Sequence, residues 1–210
     1  MFFIKFLFIS SILATALAQN QQLVETDFNA TAYQGKWFQM FRTGVDVNAP
    51  GASDTYEILR YSPSDGKFTS VLRRWMDNEG KWVAMTAVYK SSSKNNSAIY
   101  AGEITGNTDL AFDIKVAYTD YGNVSAVVSN NAPGSSENVT GFILVRDIAN
   151  VPTEALERAY EALETWNIGK DQLIEQKHGI ALERQNLAVD TTTTLKTTVQ
   201  TTDQEESVSR

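Results

Sequence analysis

Eight short segments rich in aromatic and β-branched residues follow one another between residues 36 and 147, and a cluster of turn residues interrupts them each time. They occupy 36–44, 54–61, 67–75, 81–90, 97–104, 110–119, 123–129 and 139–147. The breaks include Asn48-Ala49-Pro50-Gly51, Ser62-Pro63-Ser64-Asp65-Gly66, Asp77-Asn78-Glu79-Gly80 and Asn130-Asn131-Ala132-Pro133-Gly134. Loops of this size join antiparallel neighbours, whereas parallel strands need long crossovers. No helical period lies between the segments, which excludes a parallel α/β sheet. The pattern predicts an all-β fold: an antiparallel meander of eight strands, able to close into an up-and-down barrel.

Alternation sorts several of these strands into faces. Phe112, Ile114 and Val116 share one face and Asp113 and Lys115 the other; Tyr56 and Ile58 oppose Thr55 and Glu57. In the last strand Thr140, Phe142 and Leu144 oppose Ile143 and Val145, so that strand is apolar on both faces. The period then changes. Leu156, Ala159, Tyr160, Leu163 and Trp166 recur at spacings of three and four, which predicts one amphipathic helix over about 153–167 with Thr153 as its cap. Residues 171–177 suit a short ninth strand.

The ends read differently. Lys5 precedes an apolar run from Phe6 to Leu17 that closes on Ala16-Leu17-Ala18. That run is shorter than the ~20 residues a spanning helix requires, and it predicts a cleaved secretory signal at 1–18. A barrel domain with its helix then covers 19–187. Residues 188–210, with Thr191-Thr192-Thr193-Thr194 and the polar end Asp203-Gln204-Glu205-Glu206, lack the apolar content to offset ordering entropy and predict a disordered tail. Four N-x-Ser/Thr sequons, at Asn29, Asn95, Asn123 and Asn138, are candidate glycosylation sites in a secreted chain.

Composition removes whole classes of chemistry. The chain has no cysteine and one histidine, which excludes thiol catalysis, disulfide frameworks and cysteine-ligated metals. Its formal charge of -7 opposes nucleic acid as a partner. His178 lies beyond the eight strands, where a surface position is expected, and no serine nucleophile motif accompanies it. The reading is therefore not an enzyme, with no metal and no cofactor.

Three separated motifs resemble the lipocalins. Gly35-Lys36-Trp37, following Tyr33-Gln34, is similar to the family's G-x-W signature at the entry to the first strand. Thr119-Asp120-Tyr121 resembles the T-D-Y turn between the sixth and seventh strands, and Arg146 ends a strand similar to the family's eighth. Their order, spacing and trailing helix match over about residues 27–177. The resemblance implies an eight-stranded lipocalin barrel with one C-terminal helix packed on it. It also implies that Arg146 stacks on Trp37 and bonds nearby carbonyls, as structural closure. The family's thiol-dependent isomerase activity does not carry over to a chain without cysteine.

Period-two reading then nominates pocket-facing side chains: Tyr56, Ile58, Leu72, Met85, Tyr100, Ile114, Val116, Ser125, Val127, Thr140 and Phe142. They would line an apolar interior suited to one small hydrophobic ligand such as a retinoid, sterol, fatty acid, pigment or pheromone. The expected function is a secreted, extracellular carrier that does not span a membrane. A cell-surface receptor or a second copy of the chain are the further partners to consider. A protein-binding module using the barrel loops, and an isomerase-type enzyme on the same scaffold, are the competing classes.

Overall fold

The structure is a computed structural model that describes residues 24–44, 51–92, 98–130 and 139–179. The signal segment, the threonine-rich tail, Asn95 and Asn138 lie outside the described residues. Within them, a four-residue helix α1 (Ala30–Tyr33) leads into nine strands and one longer helix. The strands are β1 (Gly35–Thr43), β2 (Ala52–Ser62), β3 (Lys67–Met76), β4 (Lys81–Ser91), β5 (Ile99–Ile104), β6 (Asn107–Thr119), β7 (Val124–Asn130), β8 (Val139–Val145) and β9 (Leu173–Glu175). Helix α2 spans Thr153–Glu164, and a single 3-10 turn, Lys170–Gln172, precedes β9.

Each strand from β2 to β8 pairs antiparallel with the next, and β1 pairs with both β2 and β8. The sheet thus closes into an eight-stranded barrel. Phe41 and Arg42 of β1 pair with β8 on one edge and with β9 on the other. Strand β9 therefore continues the edge of β1 that β2 occupies lower down, and it protects the upper end of that edge from open pairing.

Two apolar cores result, one inside the barrel and one outside it. Val124, Ala126 and Val128 of β7 and Ile143 and Val145 of β8 point outward and are buried beneath α2. Val127 and Leu144 point inward with Trp37, Leu59, Phe68 and Tyr100. This explains why β8 carries apolar residues on both faces: neither face meets water. The helix contributes Ala155, Ala159, Ala162 and Leu163 to the outer core and Trp166 joins them from the turn just beyond it, while Leu156 and Tyr160 sit at the rim. The buried helix face is thus mainly alanine, which permits close approach to the sheet. Thr153 is the first helical residue rather than the cap; Pro152 holds the cap position and supplies no side-chain bond.

Candidate functional site

One end of the barrel is closed by the three motifs acting together. Gly35 adopts φ +109, a conformation side chains disfavour, and a Cβ there would come within 3.0 Å of the Arg146 guanidinium. The turn through Gly35 places Trp37 inside, fully buried, with its indole N–H donating to the Tyr33 carbonyl at 2.9 Å. Arg146 lies over the indole, 3.6 Å from the ring centroid, and donates to the carbonyls of Lys36, Tyr33, Gln34 and Tyr121. The Thr119-Asp120-Tyr121 turn is held from within: Thr119 Oγ1 accepts from the Tyr121 N–H, and Asp120 Oδ1 accepts from the N–H groups of Asn123 and Val124. Tyr121 in turn accepts from the Asn29 N–H at the start of α1. These residues are structural closure.

Above this floor lies a cavity of about 30 Å³ lined by Phe28, Tyr33, Glu57, Leu59, Phe68, Tyr89, Tyr100, Ile114, Val116, Val127 and Leu144. Its rings are in mutual contact: Phe68 and Tyr100 stand 5.3 Å apart edge to face, and Phe28 and Tyr33 4.9 Å apart. Tyr33 shares a 2.9 Å hydrogen bond with Ser125 Oγ. Burial pushes the Tyr100 phenol up to about 12 and the Tyr33 and Tyr89 phenols further, so all three hydroxyls remain neutral across the physiological range. The volume admits a water-sized group and no more.

Of the nominated residues, Tyr100, Ile114, Val116 and Val127 line this cavity. Ser125 faces inward but is taken up by its bond to Tyr33. A second layer lies toward the opposite end. Leu72 follows buried Ser70 on the inner face of β3 and pairs with Met85 of β4; Thr140 and Phe142 continue the inner face of β8 beyond Leu144. Phe112, one inward step above Ile114, completes that layer: its ring lies where a Cβ on Gly102 would sit, within 2.4 Å. Met85 is 37% exposed, which places it near the rim.

Two nominations are reversed. Tyr56 and Ile58 face outward, Tyr56 packing against Phe38 and Trp82 with Lys36 over its ring. The inward residues of β2 are Glu57 and Leu59, paired with Trp37 and Gly35 of β1 across Trp37↔Glu57 and Gly35↔Leu59. The outer face of β2 is as apolar as the inner one, so alternation alone could not set the phase. Glu57 is the functional candidate the sequence concealed. Its Oε1 accepts from Tyr89, at 2.5 Å, and from Ser70. Burial raises its carboxyl above the ordinary carboxylate range, against the opposing pull of those two hydroxyls.

His178 corrects a further expectation. It is buried, 7% exposed, with Nε2–H donating to the Gln39 carbonyl at 2.7 Å and its ring edge-on to Phe38. Together with the bonds from Asp54 N–H to the Lys177 carbonyl and from Gln176 N–H to the Met40 carbonyl, it fastens the C-terminal strap to the barrel. Among the described residues no cluster of His, Asp or Glu is placed to hold a metal, and no helix is long and apolar enough to cross a membrane.

No family model and no curated protein matches the chain at the sequence level. Solved structures do match its shape. Insecticyanin from the tobacco hornworm Manduca sexta superposes with a TM-score of 0.60 at 15% identity, covering 76% of this chain and 85% of that one. Lobster apocrustacyanin A1 gives 0.58 at 14%, covering 73% and 81%. The amine binding protein of Rhodnius prolixus, solved as its tryptamine complex, gives 0.54 at 18%, covering 72% and 82%.

Proposed function

We propose that this chain, whose fold is that of the lipocalins, is a secreted carrier that sequesters a small hydrophobic molecule inside its barrel. The observation that carries the reading is the arrangement of the interior. The barrel is plugged at one end by Trp37 and Arg146, and the aromatic cavity sits directly above that plug. A neighbour of the same fold holding tryptamine supports it. The mechanism is burial: apolar ligand surface leaves water at roughly 25 cal/mol per Å², less the cost of ordering ligand and side chains.

The cavity of about 30 Å³ is smaller than any such cargo. Uptake therefore moves the second layer, and Phe112 and Phe142 are the bulky side chains in the path. The candidate site takes in Tyr100, Ile114, Val116 and Val127 in the cavity, with Leu72, Met85, Thr140 and Phe142 above it. No step of bond making is assigned to the interior. Entry into the secretory route follows from the apolar segment at 1–18, and of the described sequons Asn29 is the better glycan acceptor. It is exposed and caps α1 through Oδ1, accepting from the Ala32 N–H, which leaves that role intact when Nδ2 is glycosylated. The Asn123 amide nitrogen instead donates to Asp120.

Native mass spectrometry of the secreted, deglycosylated protein before and after organic extraction tests the reading. A bound mass of a few hundred daltons that extraction removes is the expected result. A protein with no bound mass and no uptake from a mixed lipid panel overturns it in favour of recognition through the barrel loops.

A further inference from the structure

Among the described residues that line the cavity above the floor there is one carboxyl and no base to match it; the Arg42 guanidinium lies in the layer above, 5.7 Å over the Phe142 ring. Glu57 shares its cavity with the rings of Phe68, Tyr89, Tyr100 and Tyr33, and no lysine, arginine or histidine lines that cavity. Both protein hydrogen bonds to the carboxyl converge on Oε1, from Tyr89 and Ser70, and among the described residues Oε2 receives none. Glu57 is partly buried, walled by aromatic rings; a carboxyl so placed without a countercharge is costly, and hydroxyl donors offset only part of that cost. A cavity built only for apolar cargo would do better with leucine or glutamine at this position. What completes the arrangement is a cation: an ammonium group is attracted by the carboxylate and by the faces of aromatic rings together. The free volume beside Glu57, about 30 Å³, is that of a small headgroup rather than of a whole ligand.

We propose that Glu57, flanked by Phe68, Tyr89 and Tyr100, is the headgroup subsite for a protonated amine whose apolar body extends toward Phe112 and Phe142. The inference rests on the carrier reading above and narrows its ligand to the class of hydrophobic amines. Tyr89 and Ser70 act as positioning residues: by occupying Oε1 they hold Oε2 toward the cavity. Loading is tied to the proton on Glu57, since only the carboxylate pairs with an ammonium.

The test compares 2-phenylethylamine with 2-phenylethanol, which keeps the skeleton and removes the charge, by calorimetric titration of the full chain. N-phenyl-1-naphthylamine, a neutral apolar fluorophore, reports the barrel itself. The expected result is a preference for the amine of about tenfold or more in the wild type, lost in an E57Q variant whose fold is checked by circular dichroism. A wild-type protein that takes up naphthylamine but treats amine and alcohol alike overturns the subsite and leaves the carrier standing. A protein that takes up none of the three overturns both. The wild type alone gives a second reading that does not depend on the variant folding. Between about pH 7 and 4.5, the ordinary carboxylate value, amine affinity falls as Glu57 takes its proton, while alcohol affinity holds. Parallel pH profiles for the two probes overturn the proposal.

Discussion

The Arg146 guanidinium lies flat enough on the Trp37 indole to stand 3.6 Å from its centroid, while its nitrogens reach main-chain carbonyls on three separate pieces of chain. Those pieces are the α1 end, the start of β1 and the turn after β6. One side chain therefore fastens the barrel floor. Burial lowers the Arg146 pKa from its ordinary value, yet the group stays charged throughout the working range. An ammonium cannot reproduce the planar fork or the stack. R146K is expected to cost about 3 kcal/mol in urea unfolding, from lost ring contact and charged hydrogen bonds. A loss under about 0.5 kcal/mol would show that the floor is held by Trp37 alone.

Helix α2 makes a separable contribution. Ala159 is fully buried against the outer wall, among residues that do not touch the interior cavity. Ala159→Phe overpacks that interface and is expected to destabilise by about 1–3 kcal/mol. Naphthylamine uptake measured well below the melting transition should be unchanged. Loss of uptake by the folded variant would show that the outer core controls the cavity, contrary to the two-core arrangement.

Most of this architecture was legible in the chain because turn clusters and closing motifs are local signals. Eight strands, their order and the helix follow from residues adjacent in sequence, whereas the closure by Arg146 on Trp37 was implied only by the resemblance of the three motifs. Strand phase was legible only where one face was marked: Ile114 and Val116 on β6, Val127 on β7, Phe142 on β8 by its parity with Arg146. On β2 both faces are apolar, because Tyr56 and Ile58 cover the outside while Leu59 fills the inside, and a register shift interrupts the pairing with β3 between Ser53 and Tyr56. The glutamate between them reads as a solvent-facing partner. Only the pairing Trp37↔Glu57, a long-range fact, turns it inward. His178 was obscured for the same reason: its partner Gln39 is far away in sequence, in β1.

The buried His178 makes the strap sensitive to acid. Burial lowers its pKa below the ordinary 6.5, and this outweighs the raising influence of the Gln39 carbonyl, Asp54 and Glu175. The folded chain therefore binds fewer protons at this site than the unfolded chain once pH drops below about 6.5. Stability is undiminished above that value and falls as pH descends toward the lowered folded pKa. H178Q can keep a donor to Gln39 and cannot titrate. Its unfolding free energy should show a shallower decline than the wild type between about pH 7 and 5 in urea titrations. Equal slopes would mean that the ring is charged or solvated in the folded chain.

Filling the cavity separates the interior from the outer surface as the seat of function. Val127 lies on the inner face of β7, 6% exposed, with Val116 opposite it on β6, and both line the cavity. Val127→Trp adds far more volume than the cavity of about 30 Å³ can take, so the indole must displace Phe68 or Tyr100 or occupy the ligand's place. It is expected to cost about 1–3 kcal/mol in stability and to lower naphthylamine uptake by at least about tenfold. A smaller swap, Val127→Leu, should weaken uptake in proportion to volume and leave folding nearly intact. If both variants fold and bind as the wild type does, cargo does not enter the barrel at this depth. The activity would then belong to the loops at its rim.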